Sequence, residues 1–366
     1  MTQRPSIRPR IPTPASRSAL SVRWVKPLLL SLALALATVV PVGVGARAAT
    51  VFAFSPAIQH QFQQAVDQVL ATHRVPGAIV GILVPGRGTW IRAAGLADVQ
   101  TKRPMQVQTS LHIASVTKTF IGTLILQLVD AGKLRLDDAI DHWAPQVPDA
   151  SHITGRDLLN MSSGLYDYTQ DPHWQEQLEQ TLRAGQVERR WSPEQLVQFS
   201  VAHKAYFPPG KGYFYANVNY VLLGLIVEQV TGQPIQDVLQ ARILQPLGLM
   251  HTAFPTTMAL PRGHAHEYWS LNGRLRDVTT VNRDMSYLWT AGAMISTLDD
   301  LHTWAQALGT GRLIGSALQR QRLTGNPYVA AATRGRWQFG LGVAELGGWI
   351  GYNSPIPPST SPPQRR

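Results

Sequence analysis

The 366-residue chain contains no cysteine. That absence excludes a disulfide scaffold, a thiolate zinc site, a cysteine nucleophile and a lipid-anchored cysteine. Charge is sparse, at 15% of residues. Acidic side chains are missing from the first 48 positions, which hold seven basic ones: Arg4, Arg8, Arg10, Arg17, Arg23, Lys26 and Arg47. The formal charge of +11 therefore belongs largely to this segment, and the rest carries 26 basic against 22 acidic residues, a net of +4. No stripe of lysine and arginine interleaved with aromatics occurs, so nucleic acid is not an expected partner. Outside one run near the start, no uncharged apolar stretch approaches membrane-spanning length, which excludes a polytopic membrane protein. The eleven histidines, His264 and His266 among them, fit no H-E-x-x-H pattern, so no metal is expected. A 44% apolar content with no collagen-like period or heptad array is globular, and the length allows roughly two domains or lobes.

Residues 1–48 read as a signal peptide. Basic residues precede an apolar core from Leu28 to Val40, and Pro41 and Gly43 then break any helix. Ala46-Arg47-Ala48 offers small residues at the two positions a signal peptidase reads, so cleavage is predicted after Ala48. Left uncleaved, the 20 uncharged residues between Lys26 and Arg47 would just span a bilayer, the only membrane contact expected. No Arg-Arg pair marks a twin-arginine signal. The expected location is periplasmic or extracellular.

Past that segment, Ile58, Phe62, Val66, Val69 and Leu70 recur at helical spacing and predict an amphipathic helix over 56–70. Val75–Val84 and Thr89–Ala97 are β-rich runs joined by Pro85-Gly86-Arg87-Gly88, a hairpin signal. A strongly apolar helix is predicted from Ser115 to Ala131, with Gly132 as its C-cap. Helical periods dominate from Leu136 to Trp289. Thr297, followed by Leu298-Asp299-Asp300, reads as another N-cap, and strand signal returns near Phe339–Leu346. No internal repeat is present. Strands at both ends with helices between predict an α/β (α+β) fold. One α/β lobe would comprise about 49–134 and 291–353, and an inserted helical lobe about 135–290. The tail, Ser354–Arg366, is rich in proline, serine and arginine.

Ser115-Val116-Thr117-Lys118 opens the apolar helix, and a spacing of three puts Ser115 and Lys118 on one face. A serine hydroxyl needs a neighbouring base, and a buried lysine of lowered pKa can serve. A helix starting at Ser115 would also aim free backbone N–H groups at the attacked carbonyl, where an oxyanion develops. Alone, S-x-x-K describes many helices in which the serine caps and the lysine is solvated. A second motif, Tyr215-Ala216-Asn217, adds a phenol that can shuttle the serine proton and an amide that can both donate and accept. On its own it would be a Tyr/Asn-rich loop ahead of a helix.

With these motifs in order, the chain resembles the serine hydrolases of the penicillin-binding protein and β-lactamase superfamily. It looks most like class C β-lactamases and soluble serine D-alanyl-D-alanine carboxypeptidases. S-x-x-K followed about a hundred residues later by Y-x-N is their diagnostic pair. Ile153-Thr154-Gly155-Arg156-Asp157-Leu158-Leu159-Asn160-Met161-Ser162-Ser163-Gly164-Leu165 resembles their IT-x-R-x-LL-x-H-T-S-G-L stretch. Tyr215–Tyr220 resembles Y-S-N-x-N-Y, and Ile243–Leu249 resembles I-x-x-P-L-G-M. The likeness spans about residues 56–353.

The resemblance implies a β-lactamase/transpeptidase-like antiparallel sheet flanked by helices, and acyl transfer through an acyl-enzyme. Ser115 would attack a peptide-like or β-lactam carbonyl. Lys118 and Tyr215 would manage its proton, and Asn217 would position the acyl amide. One oxyanion donor would be the Ser115 N–H and the other would lie on the strand of a third motif. The implied partners are small peptides, β-lactams or peptidoglycan stem peptides, with no cofactor and no metal. Esterase or D-aminopeptidase activity is the alternative within the superfamily, and a non-catalytic peptidoglycan or β-lactam binder is the alternative outside catalysis.

The third motif departs from the pattern. After the Gly-rich approach Phe339–Gly351 stands Tyr352-Asn353-Ser354, where His-Asn-Gly is expected. These three residues are the remaining substrate-binding candidates. A neutral tyrosine cannot pair with a substrate carboxylate, and serine puts a side chain where glycine lets substrate lie against the strand. The family continues with further sheet strands, whereas proline-rich residues follow here and cannot complete a sheet. The sequence is therefore expected to be a truncated or frameshifted product with impaired activity, its C-terminal sheet strands missing and part of its core uncovered, the alternative being a true variant whose tail packs in another way.

Overall fold

A computed structural model describes residues 53–184, 190–271, 274–282 and 284–352. The predicted signal segment 1–48, the tail 354–366 and two site candidates, Asn353 and Ser354, lie outside the described residues. Helix α1 (Pro56–His73) is capped by Ser55, whose hydroxyl accepts from the Ile58 N–H. It ends three residues beyond the expected limit. The predicted hairpin forms as antiparallel strands β1 (Gly77–Val84) and β2 (Gly88–Asp98), in register from Gly77 opposite Gly95 to Val84 opposite Gly88. Strand β3 (Arg103–Pro104) extends this sheet beyond β2.

The short strand β4 (Leu111–His112) leads to the first motif. The predicted start of the apolar helix at Ser115 needs correction. Ala114–Val116 form a 3-10 turn, and α2 (Thr117–Asp130) begins two residues later. Helices α3 (Gly155–Leu159), α4 (Pro172–Ala184), α5 (Pro193–Val201) and α6 (Asn217–Thr231) follow, then α7 (Ile235–Leu239) and α8 (Gln245–Leu247). Thr154 and Asp157 make a reciprocal capping box on α3, and Gly232 ends α6 at φ 66° in the left-handed region.

A hairpin of β5 (Tyr268–Leu271) and β6 (Arg274–Asp277) was not predicted. Its signal is the Asn272-Gly273 pair between the strands. All of β6 is exposed, so the alternation that flags a strand is missing there. Helix α9 (Thr279–Asn282) precedes strand β7 (Ile295–Ser296), which pairs with β4. Thr297 does occupy the N-cap of α10 (Leu298–Thr310), but its hydroxyl makes no capping bond, so Asp299 and Asp300 in the first turn offset the helix dipole without it. Helices α11 (Ser316–Arg322) and α12 (Pro327–Thr333) lead to a three-stranded meander of β8 (Trp337–Phe339), β9 (Ala344–Leu346) and β10 (Trp349–Gly351). Among the described residues this meander and the β1–β2–β3 sheet are separate, and α10 touches both β1 and β10. Helix α1 buries no residue fully and β1 is half-buried throughout, so the N-terminal apolar faces are less covered than the middle of the chain.

The core is built on α2 and α6. Phe120, Ile121, Leu124 and Leu126 of α2 are inaccessible, as are Val218, Tyr220, Val221, Leu222 and Leu223 of α6. Each such side chain contributes about 1.5–3 kcal/mol through burial. Phe120 stacks on Trp304 of α10 at 3.9 Å, and the Trp304 indole N–H donates to Thr119 Oγ1 at 2.8 Å. Gly224 lets α6 approach the turn Trp289–Ala291. A Cβ there would meet Thr290 Oγ1 at 2.5 Å and the Trp289 ring at 2.7 Å. Gly224→Ala is expected to lower stability by about 1–3 kcal/mol through overpacking, read as a fall in the urea midpoint with unchanged slope.

Candidate active site

Ser115 and Lys118 meet because the 3-10 turn and the first turn of α2 are both anchored. Ile113 N–H donates to Met294 O at 2.9 Å, and Met294 N–H donates to Thr117 Oγ1 at 3.2 Å. Ala114 sits at φ 46°, an expensive conformation for a residue other than glycine. That strain turns the chain so that Ser115 Oγ faces the lysine. The Lys118 Nζ donates to Ser115 Oγ at 2.9 Å, to Asn217 Oδ1 at 2.8 Å and to the Ala291 carbonyl at 2.6 Å. Three acceptors match the three hydrogens of an ammonium. Yet Lys118 has no accessible surface, and burial pulls its pKa down to about 7, with the charge of Asp167 opposing. The site thus holds a lysine that changes charge near neutrality.

The second motif arrives from the N-terminus of α6. Met161 O accepts from the Phe214 N–H at 3.1 Å, and the Tyr206 N–H donates to Gly164 O at 2.8 Å, so the stretch after α3 carries the Tyr215 loop. Tyr215 is hydrogen-bonded to the Ser115 hydroxyl, and its ring centroid lies 4.9 Å from Lys118 Nζ. Burial pushes the phenol well up, the Ser115 bond opposing, so Tyr215 is a neutral phenol at neutral pH. A lysine ammonium only donates, so it fixes Asn217 with Oδ1 toward the lysine. The Asn217 amide nitrogen then faces Thr169 Oγ1 at 3.3 Å and both Asp167 oxygens at 3.4 Å.

Sequence reasoning missed two groups here. Asp167 is inaccessible, accepts from Thr169 Oγ1 at 2.8 Å, and has its pKa raised by burial against the bonds from Thr169 and Asn217. Its signal was an acid in the otherwise apolar and aromatic run Leu165-Tyr166-Asp167-Tyr168. The Ala291 carbonyl, presented by a turn whose Trp289 also takes a positive φ of 40°, leaves no side-chain signature. Of the third motif, Tyr352 reaches the cluster. Its hydroxyl lies 3.4 Å from that of Tyr215, and burial raises its pKa strongly.

A serine, a lysine of lowered pKa and a phenol, joined by hydrogen bonds in a buried cluster, are the parts of a metal-free acyl-transfer site. The family model for Beta-lactamase matches residues 62–360. The chain belongs to this family and to the serine β-lactamase and penicillin-binding protein superfamily, whose mixed α/β fold with antiparallel sheets it shares. Among solved structures it resembles a D-stereospecific amidohydrolase from Streptomyces sp., at 32% identity and a TM-score of 0.72, over 81% of this chain and 87% of that one. It is 30% identical to a D-aminopeptidase of Brucella anthropi over 77% of this chain and 52% of the relative. It is also 30% identical to esterase EstB of Burkholderia gladioli, over 58% and 57%. The chain spans about half the length of the curated relatives it matches.

Proposed function

We propose that this serine hydrolase cleaves amides and short peptides of D-amino acids, with short-chain esters as secondary substrates. Ser115 attacks the carbonyl while Lys118, as the free amine, accepts its proton. Tyr215 gives its hydroxyl proton to the leaving nitrogen, the Lys118 ammonium restores it, and water then releases the acyl group. Asn217 holds the acyl amide. The observation that carries the reading is the 2.9 Å contact of Lys118 with Ser115, with Tyr215 bonded to the same hydroxyl. Tyr352 supports the choice of substrate. A carboxypeptidase needs a cation for the terminal carboxylate, and this neutral phenol supplies none. The names of the amidohydrolase and aminopeptidase relatives point the same way. Export, within this reading, rests on the composition of residues 1–48.

The test compares kcat/KM for D-alanine p-nitroanilide, its L form, a peptide ending in D-Ala-D-Ala and p-nitrophenyl butyrate. The D-anilide is expected to exceed both the L-anilide and the peptide by about tenfold or more. A preference for the D-Ala-D-Ala peptide would instead assign a carboxypeptidase. Tyr215→Phe is expected to cut kcat on the anilide by about 10²- to 10⁴-fold. It should cost less on the ester, whose p-nitrophenolate leaving group departs without protonation, and equal losses would rule out the proton-shuttle role.

A further inference from the structure

Three side chains that the acyl-transfer chemistry does not use come together: His112, His264 and Glu267. One atom able to bind a metal from each lies within 4.8 Å of the other two. His112 Nδ1 is 2.6 Å from Glu267 Oε1, and His264 Nδ1 is 3.1 Å from Ser110 Oγ. The two rings meet edge to face with centroids 5.0 Å apart. Both histidines are at least nine-tenths buried, at 9% and 5% exposure. Neither Nε2 has a hydrogen-bond partner among the described residues. An orphaned buried nitrogen is costly, so these buried imidazoles call for an occupant beyond the bonds they make in the structure.

We propose that His112, His264 and Glu267 form a structural site for one divalent transition-metal ion of the zinc type. Imidazole nitrogen with carboxylate oxygen is a zinc donor set, whereas calcium and magnesium take oxygen cages. His112 Nδ1 and Glu267 Oε1 already lie side by side, so the ion would take the place of the proton they share, with His264 as the third donor. The backbone of the donors is already fixed. Ala265 N–H donates to Ser110 O at 3.0 Å, Glu267 N–H to Thr279 Oγ1 at 2.9 Å, and Arg103 holds the His264 carbonyl at 2.6 Å. Tetrahedral zinc needs its donors about 3.3 Å apart, so the side chains must draw inward by small rotations. Because His112 lies on β4, three residues before Ser115, the ion would tie the nucleophile's turn to the segment 264–267 without touching substrate.

The experiment strips the full chain with a chelator, dialyses it against zinc, and measures metal content and thermal unfolding. Roughly one zinc per chain is expected, with a Tm that rises with the logarithm of free zinc. His112→Ala and His264→Ala should each abolish both effects, and Glu267→Gln should weaken binding about tenfold or more. A parent chain that holds no zinc and shows no shift overturns the site. So does a stoichiometry that survives either alanine variant, which would move the metal to other histidines. If those variants fail to fold, cobalt loading of the parent decides. An intense visible band from tetrahedral coordination supports the site, and the weak spectrum of aqueous cobalt overturns it.

Discussion

Ser115→Ala is expected to lower kcat for D-alanine p-nitroanilide by about 10³- to 10⁶-fold, the range seen when a nucleophile that works as part of a unit is removed. The loss should appear in kcat and kcat/KM together, because the Ser115 hydroxyl is needed in the transition state more than for binding. Stability should hardly change. The substitution removes one of three acceptors of Lys118 and one partner of Tyr215, but Asn217 Oδ1 and the Ala291 carbonyl remain on the lysine. A shift within about 1 kcal/mol in either direction follows. Intact mass after incubation with a penicillin supplies a second readout. The parent should gain a covalent adduct of slow release, and Ser115→Ala should gain none. Retained anilidase activity in the alanine variant would remove Ser115 from the mechanism altogether.

How much of this site could be read beforehand depends on whether its parts are local. Ser115 and Lys118 are three residues apart on one helical face, so their contact follows from helix geometry. Tyr215 and Asn217 were legible only as a second motif, since nothing local brings residue 215 to residue 115. Asp167 and the Ala291 carbonyl were not legible in that sense. One acts through burial, which a sequence does not display, and the other is a backbone atom aimed by a strained turn at Trp289. The same limit operated in the fold. Helix α2 announced itself by a continuous apolar run, while the β5–β6 hairpin is held by Trp269 of β5 and Val278 just beyond β6, and β6 lacks alternation. Tyr352 was read as a substrate-binding position by alignment with the third motif. The structure places its hydroxyl 3.4 Å from that of Tyr215, at the edge of the serine–lysine–tyrosine cluster.

Lys118 makes the pH profile diagnostic. As the base, it must be uncharged, and its pKa near 7 predicts that kcat/KM rises about tenfold per pH unit below neutrality and bends at about pH 7. Lys118→Met should lose about 10³-fold or more in kcat and lose that limb. Asp167→Asn separates catalysis from mere packing. The Asp167 charge raises the lysine pKa, so removing it should move the limb toward acid while leaving Ser115 and Tyr215 in place. A profile that does not move would mean that the limb belongs to another group. Stability carries the same signature with a definite sign. In the unfolded chain the lysine titrates near 10.5, and in the folded chain near 7, so between those values the unfolded state binds more protons. The parent should therefore gain stability as pH rises through that window, and below pH 7 it should bear the full burden of burying the charge. Lys118→Met should flatten this part of the curve. If parent and variant show the same dependence from pH 7 to 10, the lysine is buried as an ammonium held by its three acceptors. Its role would then be to stabilise the Tyr215 phenolate as it forms, with the phenol itself as the base.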